Sequence, residues 1–204
     1  MWRRWNNPPP DLPLRRAVHL GVGTSLPLLA LVLPGPWALL PPALLLALWG
    51  VPDLARLRWP ALNRLFWWAF RPFLKEAEAR RPTGATWLLL SALAVLGLFP
   101  RPVAVLALLY LSLGDPASAL VGRRWGRHRL GGKSLEGALA LLAVALAVGL
   151  ALGPRVGAGP WWVPALGALA VALADLLPLR VDDNLTLPLA GAGAMALAGA
   201  LAGP

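Results

Sequence analysis

The stretch 135–153 reads LEGALALLAVALAVGLALG and contains one charged residue, Glu136. A helix of this length rises about 28 Å, close to the roughly 30 Å of hydrocarbon in a bilayer. Six further hydrophobic blocks lie at approximately 17–34, 36–52, 84–99, 102–121, 161–178 and 185–203. The second and third blocks in chain order are short for full spans, so tilt would have to compensate. The pattern predicts an all-α, polytopic integral membrane protein with about seven transmembrane helices and a single membrane-embedded domain over 1–204.

Composition supports this class. Of the 204 residues, 58% are hydrophobic and 14% are charged, against about 25% charged in soluble domains. An ordinary soluble enzyme and a disordered tail are therefore excluded. The absence of cysteine excludes disulfides and thiolate metal sites. A net charge of +10 would indicate nucleic-acid binding in a soluble protein, but here we expect membrane lipids as partners and no nucleic acid.

The basic residues are sorted along the chain. Four segments hold 17 of the 19 lysines and arginines: 1–16, 53–83, 122–134 and 179–184. The positive-inside rule therefore predicts that the N-terminus and these segments, with any active site they carry, are cytoplasmic. Within the interfacial segment 53–83, residues 60–81 mix aromatic and basic side chains. They predict an amphipathic helix on the inner leaflet, where a basic membrane anchor is a simpler interpretation than substrate binding.

The first polar motif lies at 114–137, with GDPASALVGRRWGR at 114–127 and GGKSLEG at 131–137. Asp115 falls inside an apolar block, where a carboxylate is costly unless it meets a cation, a metal or water. Glycines allow a ligand to approach the backbone, and arginine and lysine donate to phosphate oxygens. Ser134 precedes a hydrophobic block and is a candidate helix cap that would point a helix N-terminus at an anion. The predicted phosphate-binding set is Gly122, Arg123, Gly126, Arg127, Lys133 and Ser134.

This motif is not a P-loop, because position 127, where G-x-x-x-x-G-K-S requires glycine, is Arg127. On charge alone, a basic loop with turn glycines is the simpler interpretation. Asp115 shifts the balance, since acidic residues within a membrane are usually functional.

The second polar motif reads DLLPLRVDDNLTLPL at 175–189. Its core, 175–188, combines Asp175 near the end of one block with Asp182, Asp183 and Asn184 before the next. Carboxylate and amide oxygens are hard ligands that suit Mg²⁺ carrying a nucleotide. The alternative is that residues 182–184 only form a turn and a helix cap.

Together the motifs resemble the CTP-dependent lipid kinase family, which includes dolichol (polyprenol) kinase, phytol kinase and CTP-dependent diacylglycerol kinase. The matching residues are Arg16, His19, Gly114, Asp115, Ala119, Gly122, Gly126, Lys133, Ser134, Gly137, Asp183, Asn184 and Pro188. Two positions depart from the family pattern: Asp53 and Asp175 stand where glutamate is usual.

The resemblance implies transfer of the terminal phosphate of CTP to a membrane lipid alcohol, with Mg²⁺ as cofactor. It makes Asp115, Lys133 and Asp183 the candidate catalytic residues, and Asp115, Asp175, Asp183 and Asn184 the candidate metal ligands. Asp115 suits either a metal ligand or the group that orients the hydroxyl. Two alternatives stay open, a CTP-dependent cytidylyltransferase acting on a lipid phosphate and a non-enzymatic transporter or scaffold. Small residues in the last block would also permit close packing in an oligomer.

Overall fold

Helices account for all seven hydrophobic blocks. The computed structural model describes residues 13–130, 132–179 and 181–202. Gly131 of the first motif and residues 1–12 of the first basic segment lie outside the described residues. The α-helices are α1 Pro13–Val32, α2 Leu40–Leu45, α3 Val51–Ala55, α4 Pro60–Phe70, α5 Gly84–Leu98, α6 Arg101–Trp125, α7 Leu135–Val156, α8 Trp162–Leu176 and α9 Asp183–Ala202.

Four helical segments of the described chain are long and apolar enough to cross a membrane: Gly35–Ala55, Arg101–Trp125, Leu135–Val156 and Asp183–Ala202. The first of these joins a 3₁₀ turn, α2, a π turn and α3 into 21 residues, so the second block is longer than the sequence predicted. Two apolar helices, α5 and α8, have 15 residues each. The all-α, multi-pass architecture is confirmed, whereas the count of about seven transmembrane helices is not.

The predicted amphipathic helix over 60–81 is correct only in its first half. Helix α4 ends at Phe70, and two 3₁₀ turns follow at Arg71–Phe73 and Glu76–Arg80. Pro72 explains the break, because proline has no N–H and its ring clashes with the carbonyl four residues earlier. Within α4, Trp68 is exposed, but Phe66 is buried and packs edge-on against Trp49, with ring centroids 5.3 Å apart. Helix α4 thus packs against the Gly35–Ala55 segment on one face and is exposed on the other.

Helix α6 forms the centre of the molecule. Every residue from Val103 to Ser112 is buried, and α6 packs against α1, α7 and α9. The continuous apolar run of this helix is what suits it to a position surrounded by other helices.

The basic segments meet at one end of the helices, which we call the basic end. Arg15 pairs with Glu78 there, and Lys133 pairs with Asp175 and Asp183. A two-stranded hairpin that the sequence did not predict, β1 Arg129–Leu130 and β2 Lys133–Ser134, joins α6 to α7 at this end.

Candidate functional site

Three carboxylates from three different helices converge at the basic end. Asp115 lies within α6, Asp175 one residue before the end of α8, and Asp183 at the first position of α9. Each offers an oxygen, and these oxygens all lie within 4.8 Å of one another. Asp175 is fully buried, whereas Asp115 and Asp183 are half-buried. The structure therefore brings together the acidic residues of the two sequence motifs in one group, the acid cluster.

Lys133 supplies the positive charge of this group. Its Nζ donates to Asp175 Oδ1 at 2.5 Å and to Asp183 Oδ2 at 2.6 Å. Burial lowers the pKa of Lys133, but its hydrogen bonds to Asp175 and Asp183 and their charges raise that pKa by more, so the ammonium stays charged. Lys133 thus bonds two of the three carboxylates, Asp175 and Asp183, and leaves Asp115 without a hydrogen bond from it.

Hydrogen bonding is uneven across the acid cluster. Asp175 is held on both oxygens, because Ser118 Oγ donates to Oδ2 at 3.0 Å while Lys133 occupies Oδ1. Asp115, in contrast, accepts no hydrogen bond from the part of the chain that the structure describes. The side of the cluster formed by Asp115 and Asp183 is therefore the side that still has oxygen atoms to offer a ligand.

Neighbouring residues of the second motif have different roles. Asp182 precedes α9, and its Oδ1 accepts from the backbone N–H of Asn184 at 3.0 Å and from the Asn184 side chain at 2.6 Å. Asp182 therefore caps α9, which is the alternative interpretation that the sequence offers for residues 182–184. Asp183, the next residue, points instead to Lys133. Because the amide nitrogen of Asn184 is committed to Asp182, the amide oxygen is the atom that Asn184 has for a metal.

Two glycines of the first motif, Gly122 and Gly126, pack against Ser134. A Cβ at Gly122 would lie 2.7 Å from Ser134 Oγ, and one at Gly126 would lie 2.8 Å from the same atom. Ser134 is buried and caps α7, since its hydroxyl accepts from the N–H of Gly137 at 3.1 Å. The predicted cap is confirmed. Gly122 and Gly126 allow α6 to approach the start of α7. This close packing explains glycine at both positions without a bound ligand.

The remaining predicted phosphate-binding side chains, Arg123 and Arg127, lie at and just beyond the last turn of α6 and are exposed. Next to them, His128 Nδ1 and Glu136 Oε1 are 2.7 Å apart. Glu136 also accepts from the backbone N–H of His128, so this pair closes the loop that carries Lys133. The two arginines therefore lie on the surface beside that loop.

A second polar group beside the acid cluster is centred on Asp53 and Arg56, and we call it the Asp53 network. Both residues are buried, and Arg56 Nε donates to Asp53 Oδ1 at 2.7 Å, as their spacing in the sequence indicates. Asp53 Oδ2 accepts from Thr86 Oγ1 at 2.6 Å and from the N–H of Thr83 at 2.7 Å. Thr83 caps α5, since its hydroxyl accepts from the N–H of Thr86, so the network fixes where α5 begins.

Sequence reasoning did not single out Arg15 or Glu78, which connect the two groups. The guanidinium of Arg15 donates to both oxygens of Glu78 at 2.9 Å, and Glu78 also accepts from the N–H of Gly84 at 3.0 Å. A Cβ at Gly84 would lie 2.9 Å from Asn184 Nδ2 and 3.0 Å from Arg15. The start of α5 is thus packed between the Arg15–Glu78 pair and the acid-cluster side of α9. Residue spacing does not predict such a pair, because it joins positions 63 apart.

The site can be compared with known proteins. The chain is 27% identical to CTP-dependent diacylglycerol kinase 1 of Schizosaccharomyces pombe over 155 residues, which cover 69% of this chain and 71% of the relative. It is 35% and 30% identical to the proteins of the same name from Eremothecium gossypii and Saccharomyces cerevisiae, over 95 residues in each case.

These relatives support the resemblance to the CTP-dependent lipid kinase family that the two motifs indicate. The matches to the Eremothecium and Saccharomyces proteins cover 45% of this chain and only 30% and 33% of those relatives. No family profile matches the chain, and no solved structure matches it significantly. The resemblance thus rests on the sequence relatives alone.

Proposed function

We propose that this protein transfers the terminal phosphoryl group of CTP to the hydroxyl of a membrane lipid alcohol, such as a polyprenol, phytol or diacylglycerol, at the cytoplasmic face. The products are a lipid monophosphate, CDP and the proton released from the hydroxyl. The observation that supports this most directly is the acid cluster with Lys133, assembled at the basic end in a chain whose relatives are named CTP-dependent diacylglycerol kinases.

The donor atoms of the acid cluster fit Mg²⁺. Three carboxylates with oxygens within 4.8 Å of one another are hard ligands of the type that this ion prefers. Asp115 and Asp183 have oxygen atoms to offer, with Asp175 and the amide oxygen of Asn184 beside them. Bound Mg²⁺ would neutralise phosphate charge as the phosphoryl group moves.

The protein's own residues would position the reactants. Phosphoryl transfer depends mainly on positioning and charge neutralisation. Lys133, held in place by Asp175 and Asp183, would donate to a phosphate oxygen of CTP. Arg123 and Arg127 are exposed on the approach to it and would bind the outer phosphates. Ser134 would act indirectly, since its cap sets the position of the loop that carries Lys133.

Asp115 suits two roles, as a ligand of the metal or as the group that orients the lipid hydroxyl and receives its proton. Metal affinity separates them. An Asp115→Asn variant that binds Mn²⁺ as tightly as the wild type, measured by electron paramagnetic resonance, would place Asp115 at the hydroxyl. Weakened Mn²⁺ binding would place it at the metal.

The test of the proposal uses purified protein in detergent, a mixed pool of lipid alcohols, and CTP labelled separately at its terminal and innermost phosphates. We expect terminal label in a lipid product, loss of labelling with EDTA, and loss in Asp115→Asn and Lys133→Ala. Innermost label in a lipid, supplied as its phosphate, would show a cytidylyltransferase instead. Absence of both labels with folded protein would support a non-enzymatic role.

A further inference from the structure

A cavity of about 290 Å³ lies beside the acid cluster, between α1, the Gly35–Ala55 segment, α5 and the 3₁₀ turn that follows α4. Its lining is almost entirely aliphatic and aromatic, with Trp49, Phe70 and Leu88 among the lining residues. The polar lining residues are Arg15, His19 and Thr83. The rest of the wall offers only apolar contacts, so the cavity suits a hydrocarbon group with one polar end.

Two of the three polar lining residues already have hydrogen-bond partners within the protein. Arg15 donates to the carbonyl of Phe73 and to Glu78. The Thr83 hydroxyl lies 3.1 Å from Asp53 and accepts from Trp49 Nε1 at 2.9 Å. These groups therefore hold the wall of the cavity together and have little capacity left for a ligand.

His19 is different. Its Nε2 is buried and has no hydrogen-bond partner within the described residues. A buried polar atom without a partner is destabilising, so a partner for Nε2 that arrives with a ligand would relieve that cost. Of the polar groups in the cavity wall, this nitrogen is the one without a hydrogen-bond partner among the described residues.

Helices α1 and α6 run antiparallel, which fixes what lies next to His19. Ala30, near the end of α1, packs with Val105 and Leu109, near the start of α6. One to two turns earlier on α1, Gly23 faces Ser112 so closely that a Cβ at Gly23 would lie 2.6 Å from Ser112 Oγ. Positions earlier in α1 therefore lie beside positions later in α6.

His19 and Asp115 are each about one helical turn from that Gly23–Ser112 contact, in the same direction. The charge of Asp115 acts on His19 accordingly. The polar end of the cavity thus opens towards the acid cluster, on the side where Asp115 has oxygen atoms to offer.

We propose that this cavity is the binding site for the acceptor lipid. The hydrocarbon chain next to the hydroxyl occupies the apolar part, and the hydroxyl hydrogen-bonds to His19 Nε2, which presents it to Asp115. A volume of about 290 Å³ is at the lower end of ligand pockets, roughly 300–1,000 Å³. The cavity therefore holds the hydroxyl-bearing part of one chain, and the remainder of the lipid stays in the bilayer. This inference deepens the proposed function and depends on it for the identity of the lipid.

Ala85→Phe tests the cavity by filling it. Ala85 lines the cavity and is half-buried, so the larger side chain enters open space. We expect the KM for geranylgeraniol or dioleoylglycerol to rise at least tenfold while the KM for CTP changes less than twofold. Ala94→Phe is the matched control, because Ala94 is also half-buried on α5 but lies nine residues on, on the opposite face, and it should leave both values unchanged. Equal effects of the two variants on the lipid KM would overturn the proposal.

A binding measurement keeps this test separate from catalysis. A long-chain alcohol carrying a diazirine in its chain is cross-linked by light to the wild-type protein in nanodiscs without CTP. We expect adducts on α1 and α5 that excess unlabelled alcohol suppresses and the matching alkane does not. His19→Ala should abolish this preference for the alcohol over the alkane, and His19→Gln should keep part of it.

The outcomes distinguish the two proposals. Competed adducts without any phosphorylation would contradict the kinase function and leave the cavity as an alcohol site. Phosphorylation with adducts only on outward-facing residues would contradict the cavity and leave the kinase function standing. Adducts that alkane and alcohol suppress equally would show that the cavity holds bilayer hydrocarbon only.

Discussion

The acid cluster and the Asp53 network both contain carboxylates inside a membrane protein. They differ in how far those carboxylates are paired with cations and hydrogen-bond donors. Arg56 donates to Asp53, Asn63 and the carbonyls of Glu78 and Arg81, and Asp53 accepts on both oxygens. In the acid cluster Lys133 bonds only two of the three carboxylates, and Asp115 accepts no hydrogen bond within the described chain. The contacts of the first group are internal to the fold and stabilise it. The second group keeps carboxylate oxygens without hydrogen bonds, and this is why we propose it, and not the Asp53 network, as the binding site.

The largest effect should come from the acid cluster. Asp183→Asn removes a partner of Lys133 and a charge from the proposed metal site, so we expect phosphorylation to fall by about a thousandfold, the size seen when a group that stabilises transition-state charge is lost. Asp182→Asn changes the adjacent carboxylate, which caps α9. We expect little change in stability, because asparagine caps a helix about as well as aspartate, and activity within tenfold of the wild type. Initial rates with labelled CTP measure both, and equal losses would remove the distinction between Asp183 and Asp182.

Breaking the Asp53 network should affect stability rather than chemistry. Arg56→Met leaves Asp53 buried without its cation, a change that typically costs about 3–5 kcal/mol. We expect a large drop in the thermal midpoint in detergent, followed by tryptophan fluorescence, while the rate per folded molecule stays within a few-fold. Arg58→Met is the control, because Arg58 is exposed two residues away. Loss of activity in folded Arg56→Met protein would place this network in the catalytic site.

Gly122→Ala tests whether the glycines of the first motif serve packing. The added methyl would meet Ser134 Oγ at 2.7 Å, and overpacking of this kind costs about 1–3 kcal/mol. Gly132→Ala changes the same loop region at a position where a Cβ has no neighbour within 4 Å, so we expect little loss of stability. Thermal unfolding of the two variants provides the comparison. A stable Gly122→Ala protein with weakened CTP binding would favour the direct phosphate-binding role instead.

The smallest effect concerns pH. Burial raises the pKa of Glu78, but its hydrogen bonds to Arg15 and its interaction with the Arg15 charge lower that pKa by more, so the folded-state value lies below the usual 4.5. Glu78 therefore contributes stability above about pH 4.5, and this contribution is lost as the pH falls through the lowered folded-state pKa. Thermal midpoints between pH 6 and pH 3.5 should show a decline in the wild type that is reduced in Glu78→Gln. Parallel declines in both proteins would assign the pH dependence to other groups.

Much of the candidate site was predictable because its signals are local. A carboxylate inside an apolar block identifies Asp115, and two acidic positions at the ends of adjacent blocks identify Asp175 and Asp183. Since ends of neighbouring membrane helices meet at the same side, these residues were expected to lie close together. The caps at Thr83 and Ser134 are likewise set by residues within three positions of each other.

Other features depend on contacts between segments that are distant in the sequence, so the spacing of residues along the chain does not predict them. Neither the partnership of Arg15 with Glu78 nor the cavity beside His19 has a local signature. Asp182 and Asp183 are identical side chains in adjacent positions, and only the start of α9 decides which one caps the helix and which one reaches Lys133.

The membrane class, the sorting of basic residues and the choice of acidic residues for the candidate site all follow from the amino-acid sequence, because each depends on the cost of placing charge in hydrocarbon. Which of those charges have hydrogen-bond partners depends on the tertiary structure. That outcome depends on how α1, α5, α6, α8 and α9 pack at the basic end. Packing gives the Arg56 guanidinium acceptors in Asp53, Asn63 and two backbone carbonyls, whereas Asp115 and His19 Nε2 have no hydrogen-bond partner among the described residues.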